Sequence, residues 1–261
     1  MKKFNKSKVI IPALAMIALT TAASATGTVA WFAANSTATA QGLKVNIKSE
    51  STFLLIANQV SGETPAAQAA SIQAGKLTTV TEEAAAVSLL PSAHDAFTEV
   101  ADVEAKQNDK YTKWFTGVSA DPASPTMTGT KTYIDDGAFA TYVKKFTYHF
   151  TVALGTNPAT DLKVSNLTIA PGDGELNTGN TLSPVKALVV GADGLEEFGY
   201  AQDGTAGNVK LFTGSLTDTT TTSVSVYLYY NGEDENLYSN NKAKLEGATV
   251  TVKFTCTEKT A

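Results

Sequence analysis

Ala248-Thr249-Val250-Thr251-Val252-Lys253-Phe254-Thr255-Cys256-Thr257, near the carboxyl end, alternates with a period of two residues. Val250, Val252, Phe254 and Cys256 fall on one face, and Thr249, Thr251, Lys253, Thr255 and Thr257 on the other. Successive side chains of a strand point to opposite faces, so this pattern predicts a half-buried antiparallel strand. Working back along the chain, Ser223 to Tyr230 repeats it with Val224, Val226, Leu228 and Tyr230 inward. Tyr142 to Leu154 repeats it with Phe146, Tyr148, Phe150, Val152 and Leu154. Leu43, Val45 and Ile47 alternate with Lys44, Asn46 and Lys48. Shorter strands are predicted at 52–57, 161–170, 185–190 and 209–213. In 161–170 the phase slips at Asn166, which predicts a bulge or a strand end. Turn signals such as Asn157-Pro158, Asp193-Gly194 and Asn231-Gly232 separate these runs.

The expected fold is therefore mainly β, an antiparallel β-sandwich. The stretch 58–140 departs from this pattern. It is rich in Ala, Gln and Glu from Pro65 to Leu90, and Asp95 to Lys106 reads as a short amphipathic helix. The region is expected to be a partly helical insertion in a sandwich domain spanning 31–261.

Composition narrows the function. The chain of 261 residues has 20 basic residues, all lysine, against 25 acids, with one cysteine, two histidines and 38 threonines. Threonine is β-branched and polar, which suits the wet face of a sheet. An acidic chain without arginine lacks the basic surface that nucleic-acid binding favours. One cysteine excludes an intrachain disulfide and any multi-cysteine zinc site. No cofactor is expected.

The amino end has the layout of a secretory signal: Lys2, Lys3, Lys6 and Lys8, an apolar run from Val9 to Leu19, then small residues. Residues 1–30 are read as a signal peptide cleaved between Ala30 and Trp31, with an alternative cut between Ala25 and Thr26. An uncleaved anchor competes with this reading, because no charge occurs between Lys8 and Lys44. Cleavage removes four lysines and no acid, leaving a net charge of −9. The expected location is extracellular or on the cell surface, with no membrane span in the mature chain and a signal peptidase as the partner in export.

Candidate chemistry is sparse. His94-Asp95 suits part of a hydrolytic triad, but no Gly-x-Ser-x-Gly elbow accompanies it, and Asp95 equally suits a helix cap. His149 falls on the polar face of its strand and is expected to be solvated. Glu233-Asp234-Glu235 offers hard oxygens to calcium without the spacing of a calcium loop. Cys256 is expected to be a buried thiol. Asn35 and Asn166 begin N-glycosylation sequons, and Gly172-Asp173-Gly174 lacks the context of a phosphate loop. No enzyme activity is expected.

The stretch Gly27-Thr28-Val29-Ala30-Trp31-Phe32-Ala33-Ala34-Asn35-Ser36-Thr37-Ala38-Thr39-Ala40-Gln41-Gly42-Leu43-Lys44-Val45 joins the small residues of the export signal to an aromatic pair and a Thr/Ala-rich run. It resembles the start of the TasA/camelysin family of exported Gram-positive surface and biofilm-matrix proteins. The resemblance implies a jelly-roll-like sandwich, processing by a dedicated signal peptidase that leaves Trp31 first, and self-assembly into fibres. In such fibres the N-terminal segment of one subunit adds a strand to the next. Residues 31–41 would be that strand, with Trp31 and Phe32 as anchors and Ala34, Thr37 and Thr39 along it. Two other functions stay open: a monomeric surface adhesin or carbohydrate-binding module, and a secreted hydrolase.

Overall fold

The computed structural model describes residues 43–83, 89–94, 114–117, 131–170, 183–201, 204–232, 234, 245 and 247–259. The strands are β1 (Lys44–Ser49), β2 (Leu54–Ala57), β3 (Thr79–Glu83), β4 (Ala93–His94), β5 (Trp114–Gly117), β6 (Lys131–Tyr133), β7 (Val143–Val152), β8 (Ala159–Ala170), β9 (Val185–Val190), β10 (Leu195–Gly199), β11 (Thr222–Tyr230) and β12 (Thr249–Glu258). Two helices, α1 (Pro65–Gly75) and α2 (Phe139–Tyr142), accompany them.

Two sheets face each other. The first has the order β3-β1-β12-β8 and the second β10-β9-β11-β7-β2. The apolar face of each predicted strand turns into one shared core: Val45 and Ile47, Phe146, Tyr148, Phe150 and Val152, Val224, Val226 and Leu228, and Val250, Val252 and Phe254. Phe150 of the second sheet and Phe254 of the first meet across it with ring centroids 5.0 Å apart. The chain is thus a mainly β protein of sandwich type.

Pairing is antiparallel except in one place. β1 runs parallel to β12, with Lys44 opposite Thr249 and Ile47 opposite Val252. Parallel strands cannot be joined by a hairpin, so the pair is made from the two ends of the described chain. The slip read at Asn166 is a bulge: Lys253 pairs with Asn166 and Phe254 with Val164, leaving Ser165 as the extra residue. A second irregularity lies between Thr255 and Thr257, where Asp161 takes a left-handed φ of 58°.

Four expectations change. Leu154, expected inward, is 78% exposed, because β7 ends at Val152 and the chain turns through Gly155. The run 209–213 forms no strand. Phe212 makes an isolated bridge to Leu162, as Thr205 does to Leu167 and Leu216 to Ala159, so 204–216 is a strap along the outer edge of β8. Gly191 permits this strap, since a Cβ there would collide with the Leu211 carbonyl. The Ala/Gln/Glu-rich run is helical only to Gly75. Thr64 caps its start by accepting from the Ala67 amide at 3.2 Å, Pro65 occupies the first turn, and Lys76 closes it in the left-handed region. Beyond it Thr79-Val80-Thr81 is β-branched and becomes β3, an edge strand of the first sheet. That part of 58–140 is built into the sandwich and does not merely decorate it. The helix expected at 95–106 lies outside the described residues.

The outer faces of the two sheets differ. A third layer, the small sheet β4-β5-β6 with α2 beside it, covers part of the second sheet. Trp114, Ile134 and Phe139 pack there on Val143, Leu188, Val190, Tyr227 and Tyr229. α1 packs on β7 and β2, burying Ala69 and Ile72. Tyr227 and Tyr229 are therefore buried although they lie opposite the main core face of β11. No described element covers the outer face of the first sheet.

Candidate functional site

The cleavage residues Ala25, Thr26, Ala30 and Trp31 and the donor-strand residues Trp31, Phe32, Ala34, Thr37 and Thr39 all lie outside the described residues. The described chain begins where that segment would join the sandwich. Leu43 is buried, and the Lys44 amide donates to the Ala248 carbonyl at 3.0 Å.

A groove opens on one lateral side of the sandwich. β2 pairs with β7 only from Leu54–Val152 to Ala57–His149, whereas β7 runs back to Val143. Past Ala57 the groove, about 350 Å³ in volume, is lined by Asn58 and Gln59, by Lys144 to Thr147 of β7, and by Glu82 of β3 in the opposite sheet. The Ile56 amide points away from β7, to the Leu77 carbonyl at 2.8 Å, so Leu55 and Ala57 turn toward β7. By the two-residue alternation, the amide and carbonyl of Thr147 face the groove. Phe146 is the apolar residue of a mostly polar lining, and its ring stacks at 6.5 Å on Tyr148, which is buried behind it in the core. The Tyr148 hydroxyl is buried without a hydrogen-bond partner. Burial, and to a lesser extent the charge of Glu82, push its ionisation above the ordinary tyrosine range.

A second polar cluster joins the third layer to the sandwich. His94 Nε2 lies 3.2 Å from Glu197 Oε1 and 3.0 Å from the Tyr229 hydroxyl, which itself donates to Glu197. The Trp114 ring meets His94 edge-on at 5.0 Å and Tyr229 at 4.8 Å. Burial alone would raise the Glu197 carboxyl. The hydrogen bonds from His94 and Tyr229, with the charges of His94 and Lys186, outweigh it and hold the group below its usual range. A carboxyl depressed in the folded state adds stability above its unfolded pKa, and that stability is lost as pH falls toward the folded value. Acid unfolding at and below about pH 4.3 should therefore be shallower in Glu197→Gln than in the parent chain, as urea midpoints taken across that range would register. Equal pH slopes for the two proteins would remove Glu197 from the account. His94 is enclosed, its side chain 9% exposed, while Glu197 reaches the surface at 30%, and the cluster acts as a clasp between β4, β10 and β11. Sequence reading placed His94 beside Asp95, which lies outside the described residues; its described carboxylate partner is Glu197, far away in sequence.

The remaining candidates separate. His149, expected to be solvated, is only partly exposed, and burial lowers its pKa. Cys256 is half-buried beside the core, and burial pushes its thiol up to about 11. Asp234 accepts from the Ser183 hydroxyl at 2.9 Å, while Glu233, Glu235, Asn35 and the Gly172-Asp173-Gly174 run lie outside the described residues. Among the described residues no three His, Cys, Asp or Glu side chains gather as a metal site, and no helix is long and apolar enough to cross a membrane.

Comparison with known proteins gave no matching family model, no matching curated protein and no matching solved structure.

Proposed function

We propose that this chain is an exported structural protein that assembles into extracellular fibres, residues 31–41 of one copy adding a strand in the lateral groove of the next. The observation that supports this reading is the groove itself. It combines a backbone edge at Thr147 left unpaired by β2, an apolar contact at Phe146, and a second wall at Glu82 of the opposite sheet. Strand addition needs those parts: main-chain groups for affinity and pockets for alternate side chains. Trp31 and Phe32 would fill apolar space, and the small residues after them would tolerate close sheet packing. Twelve residues precede Leu43 from Trp31 onward, and fully extended they reach about 40 Å, enough to leave one sandwich and enter another.

Protein beginning at Trp31 should sediment as filaments visible by negative-stain electron microscopy. Protein beginning at Leu43 should stay monomeric and folded, and an excess of a 31–42 peptide should block assembly of the longer form. Monomers from both proteins in every condition tested would end the fibre reading. Filaments from the shorter protein would end strand donation while leaving assembly standing.

A further inference from the structure

Among the described residues no element covers the outer face of the first sheet. Register aligns its outward residues in rows across four strands. Thr81 of β3, Asn46 of β1, Thr251 of β12 and Thr168 of β8 form one row, with Thr81 donating to Asn46 Oδ1 at 2.9 Å. Thr79, Lys48, Lys253 and Asn166 form the next. Beyond them Lys163 stands opposite Thr255. On the other side Lys44, Thr249 and Ala170 complete the face.

Charge sets this surface apart from the rest of an acidic chain. Lys48 and Lys253 are direct cross-strand neighbours, an arrangement that costs stability when both carry the same charge. Lys253 is relieved in part by Glu50 at 3.5 Å, an exposed pair of small worth. Lys48, on an exposed position of β1, has no such counter-charge among the described residues. Beneath the face Val45, Ile47, Val250 and Val252 are wholly buried, so the rows sit on a rigid base.

We propose that this face is a docking surface for an acidic polysaccharide, whose carboxylates meet Lys48, Lys253 and Lys163 and whose hydroxyls meet the Thr and Asn rows. Charge complementarity selects an anionic partner, and the hydroxyl and amide rows select a polyhydroxylated one. This site is separate from the lateral groove and does not depend on fibre assembly.

The full chain is passed over immobilised polyuronate, with a neutral glucan and polyphosphate as parallel surfaces. Binding is expected to the polyuronate, not to the glucan, and to vanish near 1 M salt, where the screening length is about 3 Å. Lys48→Gln with Lys163→Gln should weaken it about tenfold, whereas Lys76→Gln with Lys186→Gln, the same charge change at the end of α1 and on β9 of the second sheet, should leave it unchanged. Matched melting temperatures show that both variants are folded. No polyuronate binding, equal loss in the two variants, or polyphosphate binding as tight as polyuronate binding would each overturn the proposal.

Discussion

Replacing Phe254 by alanine should destabilise the protein by about 3–5 kcal/mol. Phe254 is fully buried on β12, the strand that lies between β1 and β8 in the first sheet. Its ring reaches across to Phe150 of the second sheet, so truncation removes a contact between the two layers as well as the apolar area. The cavity cannot collapse easily, because the strands on both sides are fixed by main-chain pairing. For a chain of this size the loss corresponds to a fall in melting temperature of about 10 °C. Urea unfolding of the form beginning at Leu43 measures it. Phe254→Leu should recover more than half of the loss. A cost below about 1 kcal/mol for the alanine variant would mean that Phe254 does not hold the sheets together.

Trp114→Ala should act on one layer only. Trp114 is wholly buried in β5 and contacts His94, Phe139, Tyr227 and Tyr229 through its ring. Its Nε1 has no hydrogen-bond partner, so its contribution comes from area and ring geometry, not from the polar handle. Truncation should cost the third layer about 3–5 kcal/mol, more than a three-stranded sheet with strands of two to four residues can absorb alone. Amide exchange should then rise sharply at 93–94, 114–117 and 131–134 while β11 and β12 keep their protection. Trp114→Phe should retain the layer, since it keeps most of the area and discards an unpartnered donor. Uniform loss of protection across both layers would contradict this division.

Much of the sandwich is legible in the sequence, for a local reason. Alternation fixes which side chains of a strand share a face, and burial of one face then fixes which face is inward. Val250, Val252 and Phe254, and Val224, Val226 and Leu228, therefore lie where their parity puts them. The Ser165 bulge is visible as a phase slip for the same reason. Tyr227 and Tyr229 are not readable as buried, because what covers them is scattered: Trp114 from β5, Ile134 after β6 and Phe139 from α2. β3 is hidden in a run whose composition favours helix until the β-branched Thr79-Val80-Thr81 ends it. Leu154 misleads because parity continues past the point where pairing stops.

The candidate sites divide along the same line. The lysine and threonine parity of β1 and β12 can be read residue by residue, but their parallel register, which sets Lys48 beside Lys253, cannot. His94 is conspicuous in sequence, yet its partners Glu197 and Tyr229 come from two strands of another layer. By itself the sequence determines where strands lie, which faces they bury and how acidic the chain is, since these follow from neighbours along the backbone. Only the tertiary structure decides that β1 pairs parallel with β12, that β2 stops short of β7 to leave a groove, and that among the described residues one outer face is partly covered while the other is not. Those features depend on which distant segments meet, and a local pattern compatible with several pairings carries no information about the choice among them.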